Sequence, residues 1–227
     1  MPNEVFGEVA DEYDNKYQNG YGVQHPEGHV IRFNHHILQY ELGMTNGNVL
    51  DYGCGNGTHS VFFKNQGFTP FGCDVSPTAI AQAKSALPEY QSNFHTVESV
   101  PKLSDIFPEK FDLILANQVL YYLDDDGLKN LIEQFHDILK PGGVIFATMM
   151  ATTDYYHSLI RTEVGGLSEV FLPGRLDLTT HINFKTRDDV LDAFSNFQKL
   201  HMGNYSHMIR EDEGVSDHWM YVGQKNR

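Results

Sequence analysis

Three glycines and one acid stand at spacings that could build a ligand site. The stretch VLDYGCGNGTHS places Gly53, Gly55 and Gly57 directly after a run of strand-forming residues that contains Asp51. Glycine permits positive φ angles and lets a ligand approach the main chain closely. A helix that begins after such a loop directs free N–H groups at the ligand. The stretch therefore predicts a site for a nucleotide or a nucleoside.

The interval between the glycines distinguishes two classes of ligand. Dinucleotide sites favour the pattern G-x-G-x-x-G, but here Thr58 occupies the position of the third glycine and Gly57 comes one residue too early. Asp74 closes the next predicted strand, about 20 residues after Gly53, where an acid accepts hydrogen bonds from ribose hydroxyls. Alone, Asp74 would be a turn or capping residue. With the glycine loop it predicts a ribose-binding acid and argues against a dinucleotide.

The elements that position these residues alternate between strand and helix. Buried strands are predicted within the stretches NVLDYG, FTPFGCDV, NFHTVE, FDLILANQVLYYL and PGGVIFATMM. Helices are predicted between them, and Ser76 and Thr186 stand at positions typical of helix N-caps. This alternation predicts an α/β fold with a doubly wound, mostly parallel sheet and helices on both faces.

We expect one domain with four parts. Residues 1–47 are mostly helical and form a lid, and residues 48–150 form the ligand-binding core. Residues 151–185 are rich in Tyr, Phe, Arg and Thr at irregular spacing, which favours an insertion that covers the strand ends. Residues 186–227 form a helix and two antiparallel strands.

The amino-acid composition and net charge limit the classes of partner that we expect. The formal net charge is −14 and no block of Lys or Arg occurs, so neither a nucleic acid nor an anionic membrane is expected as a partner. No apolar run approaches the ~18 residues of a membrane span, and no signal peptide is recognisable, so we expect a cytoplasmic protein.

Cys54 and Cys73 form no C-x-x-C pair, which favours two reduced, buried thiols. The twelve histidines lack an H-E-x-x-H pattern, so no metal site is predicted.

Four stretches in order carry a family resemblance. VLDYGCGNGTHS, FGCDVSPTAIAQAK, FDLILANQVLYYL and LKPGGVIFATMM resemble successive motifs of class I S-adenosylmethionine-dependent methyltransferases, over about residues 45–150. The resemblance implies a Rossmann-like methyltransferase fold with a seven-stranded, mostly parallel sheet whose last strand is antiparallel. It also implies S-adenosylmethionine as the cofactor and S-adenosylhomocysteine as the product.

The resemblance assigns cofactor roles to residues at the strand ends. It implies that Gly53, Cys54 and Gly55 pass close to the methionine part of the cofactor. Asp51 would order the loop and could reach the amino group of the cofactor through a hydrogen bond, and Asp74 would hold the ribose hydroxyls.

Further roles concern the adenine and the end of the fourth strand. The resemblance implies that Val75 packs on the adenine. Thr96 and Val97 stand where the family often has an acid and a small residue. This departure weakens the adenine assignment and makes Glu98 a rival. Asn117 and Gln118 follow the fourth strand. The resemblance implies that the main chain there contacts the methionine part of the cofactor.

The N-terminal segment corresponds to the lid of the family. Val5, Val9, Tyr13 and Tyr17 recur at steps of four, which indicates one helical face. The two tyrosines either pack or cover the sulfonium through cation–π contact. Arg32 interrupts an apolar stripe and is either solvated or a clamp on the cofactor carboxylate or on an anionic group of the substrate.

The acceptor side is less defined. Candidate catalytic residues are His157, His181 and Tyr122, with His25 and His29 as further candidate bases. Tyr121 and Tyr122 are adjacent, and we expect one in the core and one at the substrate pocket.

The chemistry of the acceptor stays open in the sequence. Arg161 and Arg175 favour an acidic group on it, whereas the net charge of −14 favours a neutral or cationic one. The sequence predicts O- or N-methylation of a small polar metabolite by a monomer or homodimer. The alternatives are an NAD-dependent oxidoreductase and a non-catalytic S-adenosylmethionine-binding protein.

Overall fold

A computed structural model describes residues 11, 13–98, 100–172, 178–211 and 214–226. The predicted lid positions Val5 and Val9 and the predicted pocket residue Arg175 lie outside these ranges. Within the described residues no helix is both long enough and apolar enough to cross a bilayer.

Strands and helices alternate through the middle of the chain, as the sequence predicts. The strands are β1 Gly47–Tyr52, β2 Phe68–Asp74, β3 Phe94–Thr96, β4 Phe111–Ala116, β5 Leu139–Met150, β6 Ile160–Val164, β7 Leu167–Leu172, β8 Leu178–Ile182, β9 Gln198–His207 and β10 Ser216–Gln224. The helices are α1 at 13–18, α2 Gly28–Arg32, α3 Thr58–Asn65, α4 Pro77–Ala86, α5 Leu103–Ile106, α6 Asp125–Ile138 and α7 Arg187–Ala193. A π-helical stretch, Phe33–Glu41, continues α2, and 3₁₀ turns lie at Pro88–Asn93, Leu120–Tyr122 and Tyr155–Leu159.

In the described part of the chain, seven strands form one sheet in the order β3-β2-β1-β4-β5-β10-β9. The pairings among β3, β2, β1, β4 and β5 are parallel. The last strand, β10, runs antiparallel to both β5 and β9. The predicted doubly wound, mostly parallel seven-stranded sheet with an antiparallel last strand is therefore confirmed.

The central strand β4 shows why helices cover both faces. Successive side chains of a strand point to opposite faces, and from Leu113 to Ala116 of β4 the side chains on both faces are apolar and fully buried. Leu113 and Leu115 pack in the cluster that contains Phe63 of α3, whereas Ile114 packs with Phe135 of α6. Each such leucine contributes about 1.5–3 kcal/mol through burial. A strand of this kind reads as one continuous apolar run, which is why its position is predictable.

Two segments differ from what their sequence patterns predict. Residues 151–185 look irregular, but β6, β7 and β8 form a three-stranded antiparallel sheet of their own. The second N-terminal helix begins at Gly28, after Pro26, and most of it is π-helical rather than α-helical. Its buried stripe survives this change, because Val30, Phe33 and Leu38 are all inside.

The predicted N-cap at Thr186 is present as a capping box. The Asp189 N–H donates to Thr186 Oγ1 at 3.2 Å, and the Thr186 N–H donates to Asp189 Oδ2 at 2.8 Å. These two bonds satisfy main-chain donors that the first turn of α7 would otherwise leave unpaired.

Substitution of Thr186 tests this cap. Thr186→Ala should lower the free energy of unfolding by about 1 kcal/mol, measured by chemical denaturation. Thr186→Ser keeps a hydroxyl and serves as the matched control, with a stability close to that of the wild type. Equal losses in both variants would contradict a capping role.

A carboxyl group is buried at the end of β1. Asp51 is 2% exposed and accepts a hydrogen bond from Ser60 Oγ at 2.7 Å. Burial, which disfavours the charged form, raises the pKa of Asp51 from 3.8 to about 7. The folded protein therefore holds a proton on Asp51 at pH values where the unfolded chain has lost it.

The stability that Asp51 contributes should fall as the pH rises through this range. The contribution of Asp51 to the free energy of unfolding should decrease between about pH 4 and 7, by an amount on the order of 2–4 kcal/mol. His59 and His218, whose pKa values burial lowers to about 4, act in the opposite direction in this range and are common to wild type and variant. Asp51→Asn, which is neutral at every pH, should remove most of this decrease in denaturation curves recorded across the range. The exposed Asp105→Asn should leave it unchanged, and an Asp51→Asn variant with the wild-type slope would refute the assignment.

Candidate functional site

A cleft opens where β1, β2, β3 and β4 end, at the carboxyl edge of the parallel strands. Its walls come from the N-terminal segment, the glycine loop, the ends of β2 and β3, and the turn after β4. Among the described residues its lining comprises Tyr13, Tyr17, Tyr21, Gly22, Val23, Glu27, Tyr52, Gly53, Cys54, Gly55, Asn56, Thr58, His59, Cys73, Asp74, Val75, Val97, Asn117, Gln118, Val119, Tyr121, Tyr122 and Leu123.

The structure brings most of the predicted site residues to this cleft. They are Tyr13, Tyr17, Gly53, Cys54, Gly55, Asp74, Val75, Val97, Asn117, Gln118 and Tyr122. The cleft therefore collects residues from distant parts of the sequence, in the places where the strand ends predict them.

The glycine loop leaves no room for side chains. Gly53 and Gly55 have φ angles of 71° and 52°. A Cβ atom on Gly53 would lie 2.5 Å from Val119 Cγ2, and one on Gly55 would collide with the Tyr17 hydroxyl. The N–H groups of Gly53 and Cys54 both donate to the carbonyl of Cys73, at 2.8 and 3.0 Å. The loop thus presents bare main chain to the cleft.

Asp74 is held in place by main-chain donors. Its Oδ2 accepts from the Gly55 N–H and its Oδ1 from the Ser76 N–H, each at 2.9 Å. Burial raises the pKa of Asp74, and the bonds from these N–H groups act in the opposite direction. A carboxylate has about four acceptor positions, so two remain for hydroxyl groups of a ligand.

Tyrosines form a cover over the cleft. Tyr13 is hydrogen-bonded through its hydroxyl to that of Tyr122, and their rings meet edge to face with centroids 5.5 Å apart. Tyr21 packs edge to face on both Tyr13 and Tyr17. Tyr17 is only 9% exposed, and its hydroxyl lies against Gly55.

One aspartate attaches this cover to the sheet. Asp14 of α1 accepts hydrogen bonds from Ser76 Oγ at 2.6 Å and from the Thr78 N–H at 2.9 Å. Both donors belong to the start of α4, directly after Asp74. The main-chain carbonyl of Tyr17 accepts a further bond from Gln82 Nε2 at 3.3 Å. The cover is therefore fixed to the element that begins beside Asp74.

A second acid lies at another wall of the cleft. Glu27 Oε2 accepts from Asn117 Nδ2, and its Oε1 accepts from Gln118 Nε2 at 2.9 Å. The Glu27 N–H donates to His59 Nε2 at 3.4 Å. Burial lowers the pKa of His59 to about 4, so this imidazole is neutral near pH 7.

Stacked rings continue this polar cluster behind the cleft. His29 donates through Nε2 to Asn117 Oδ1 at 2.8 Å and stacks on Tyr205 at 4.2 Å. Tyr205 stacks on His218 at 4.9 Å, and its hydroxyl accepts from Gln118 Nε2 at 2.8 Å. Both ring nitrogens of His218 are buried without a hydrogen bond to described residues, and burial lowers its pKa to about 4.

Three predicted cofactor residues do not line the cleft. Asp51 lies beneath the glycine loop and bonds to Ser60. Thr96 is exposed at the end of β3, whereas its neighbour Val97 is in the lining. Arg32 is exposed at the end of α2 because it points away from the apolar stripe of that helix, so its position favours the solvated interpretation.

The predicted catalytic histidines are also elsewhere. His157 is exposed on a 3₁₀ turn, with its ring edge-on to Phe184 at 5.1 Å. His181 lies in β8, opposite Glu169 of the small sheet. The sequence suggests Arg161 as a partner for an acidic group on the acceptor. Its guanidinium instead lies over the ring of Phe171, 4.0 Å from the ring centroid. All three side chains lie outside the described lining, on the 3₁₀ turn or in the small sheet, so their positions give no support to a role in the cleft.

Glu27, His59 and Tyr205 join the cluster without being predicted. His59 follows the glycine loop in the first turn of α3, a position that could have been considered. Glu27 and Tyr205 carry no local signal, because they join the cluster through side-chain hydrogen bonds to Asn117 and Gln118, which are distant in sequence. His29, named above among the candidate bases, stands directly behind the lining.

The methyltransferase domain family matches residues 27–198, which is most of the chain. An uncharacterized methyltransferase of Bacillus cereus is 30% identical over 162 residues, which cover 70% of this chain and 73% of the relative. An uncharacterized methyltransferase of Synechocystis is 34% identical over 97 residues, or 42% of this chain. That match spans only 43% of the length of the Synechocystis protein.

A solved structure shares the fold over nearly its full length. It is the 1,6-didemethyltoxoflavin-N1-methyltransferase of Burkholderia thailandensis, with bound 1,6-didemethyltoxoflavin and S-adenosylhomocysteine. The TM-score is 0.66 at 17% identity, covering 100% of this chain and 91% of that one. With the family match and the Bacillus relative, these findings confirm the resemblance: the chain belongs to the methyltransferase domain family.

Proposed function

We propose that this protein transfers a methyl group from S-adenosylmethionine to a small polar metabolite by in-line displacement onto oxygen or nitrogen. The observation that carries the proposal is the convergence of the glycine loop, Asp74 and the tyrosine cover on one cleft. Membership in the methyltransferase family supports both the enzymatic activity and the cofactor.

The glycine loop fits a ligand that approaches the main chain. Side chains at Gly53 or Gly55 would fill the space between the loop and its neighbours Val119 and Tyr17. We assign this bare surface to the methionine part of the cofactor, together with Cys54 and the residues after β4, Asn117 and Gln118.

The end of β2 fits the nucleoside. We assign the free acceptor positions of Asp74 to the two ribose hydroxyls. Val75 and Val97 offer apolar contact to the adenine from either side of Asp74, and the Val97 N–H donates to the Asp74 carbonyl at 3.0 Å. Thr96 is the weaker adenine candidate because its side chain is exposed.

The charges of the cleft favour this cofactor over a dinucleotide. Asp74 and Glu27 are in the lining, and no Lys or Arg is among its described residues. A pyrophosphate would meet two carboxylates and no cation, whereas a sulfonium nucleoside carries a positive charge that the carboxylates attract.

The residues of this chain align the acceptor and exclude water. When bound, the cofactor supplies a methyl group that is already activated by its positive sulfur. Most of the catalytic effect then comes from orientation and a dry site. Tyr13 and Tyr17 cover the cleft, and their ring faces would attract the sulfonium.

Tyr122 suits a donor better than a base. Burial raises its pKa well above the ordinary value, so the hydroxyl stays protonated near neutral pH. We propose that Tyr122 positions the acceptor by hydrogen bonding, while its bond to Tyr13 holds the cover. A base is needed only if the acceptor arrives protonated.

Calorimetric titration with S-adenosylmethionine, S-adenosylhomocysteine and NAD tests the cofactor. We expect the first two to bind and NAD not to bind. Binding of NAD alone would overturn the proposal in favour of an oxidoreductase. Turnover of labelled S-adenosylmethionine with a panel of metabolites separates an enzyme from a protein that only binds the cofactor.

The ribose-binding acid has its own test. Asp74→Ala should weaken the binding of S-adenosylhomocysteine by about 1–3 kcal/mol, because a charged hydrogen-bond acceptor is lost. Asp105→Ala removes an exposed carboxylate that pairs only with Lys102 among the described residues, and it should bind as the wild type does. Unchanged affinity in a folded Asp74→Ala protein would remove the ribose role.

A further inference from the structure

Glu27 is a carboxylate whose surroundings present it to the cleft. It lies at the start of α2 and is 27% exposed, so it is partly withdrawn from water. The amide groups of Asn117 and Gln118 each donate to one of its oxygens. These two bonds fix the plane of the carboxylate and leave acceptor positions free.

Gln118, one of the two residues that orient Glu27, has a strained main-chain conformation. Gln118 has a φ angle of 55°, and among the described residues it is the only one other than glycine with a positive φ. This conformation is unfavourable for a residue that carries a side chain. It is held by the bond from the Gln118 N–H to Thr148 Oγ1 at 2.7 Å and by the bonds of its amide to Glu27 and Tyr205. Strain of this kind at a cleft indicates a built binding site.

Glu27 has no strong cationic partner. Within 4 Å its only potentially charged neighbours among the described residues are His29 and His59. His59 accepts a hydrogen bond through the nitrogen that faces Glu27, so that nitrogen carries no proton. His29 directs its Nε2 at Asn117, 2.8 Å away, and stands 3.8 Å from Glu27 Oε2.

The rest of the cleft adds negative charge and aromatic surface. Asp74 is the other carboxylate of the lining, and no Lys or Arg from the described chain joins it. Tyr13, Tyr17 and Tyr21 also line this space, and aromatic rings attract cations. Lys16 Nζ already lies 4.4 Å from the ring centroid of Tyr13. An anionic group would be repelled here.

We propose that Glu27 binds a positively charged amino group inside the cleft. This inference rests on the proposed function and deepens it. Two ligands could supply the amino group: the methionine part of the cofactor, or an acceptor that is itself an amine. The chemistry is the same in both cases, a charge-assisted hydrogen bond from N–H to carboxylate.

The first arm of the test concerns the cofactor. Calorimetry compares S-adenosylhomocysteine with an analogue in which the α-amino group is replaced by hydrogen. If Glu27 binds the cofactor, Glu27→Gln should weaken S-adenosylhomocysteine by about 10- to 100-fold and leave the affinity for the analogue unchanged.

The second arm concerns the acceptor. If Glu27 binds an amine acceptor, Glu27→Gln should bind S-adenosylhomocysteine as the wild type does. The proteins saturated with S-adenosylhomocysteine are then titrated with ethanolamine, histamine and tyramine as probes and followed by NMR. At least one amine should bind the wild type and fail to bind the variant.

Glu133→Gln is the matched control, because it removes one charge from an exposed position of α6 away from the cleft. It should behave as the wild type in both arms. Glu27→Gln that binds all ligands as the wild type does would overturn the inference, and so would equal weakening of S-adenosylhomocysteine and the analogue, which indicates a structural role alone.

Two further outcomes are decisive. If Glu27→Gln does not fold, equal affinity of the wild type for S-adenosylhomocysteine and the analogue, with no amine bound, overturns the inference. Failure of the wild type to bind S-adenosylhomocysteine would instead overturn the proposed function, and the role of Glu27 with it.

Discussion

The parallel pairing of β1 with both β2 and β4 is the constraint on which the site depends. It sets Asp51 opposite Gly72 on one side and opposite Leu115 on the other. The three strands therefore end at the same edge, and the segments that follow them must share the space beyond it. The glycine loop, Asp74 and Asn117 meet there although they are far apart in the sequence. Helices on both faces bury the apolar strands and hold this edge in place.

Around this edge the molecule combines acids with an aromatic cover. Asp74 is oriented by the N–H groups of Gly55 and Ser76, and Glu27 by two side-chain amides. Both carboxylates are thus held by neutral donors, which fix their geometry without cancelling their charge. Asp14 is hydrogen-bonded to the start of α4, so the tyrosine cover is joined to one wall of the cleft. Such a cleft is suited to a cation and unsuited to a phosphate.

The predictions that succeeded rest on short stretches of sequence. The caps at Ser76 and Thr186 are present because a cap depends on residues two or three positions away. The order of motifs predicted the family and the sheet, both of which are confirmed. The small sheet β6–β8 was not predicted, because the sequences of its strands do not alternate regularly between apolar and polar residues. His157 and His181 were chosen for their chemistry alone, and the structure places them outside the described lining, on a 3₁₀ turn and in β8.

What the sequence alone determined is the glycine loop, Asp74 and the frame of strands that carries them. These follow from local rules: glycine where the φ angle is positive, an acid at a strand end, apolar runs where both faces are covered. Only the tertiary structure decided that Glu27, His59 and Tyr205 gather beside Asn117 and Gln118. Glu27 and Tyr205 are hydrogen-bonded to the side chains that follow β4, and the Glu27 N–H donates to His59. Contacts between residues so far apart in the chain leave no pattern in the neighbouring residues.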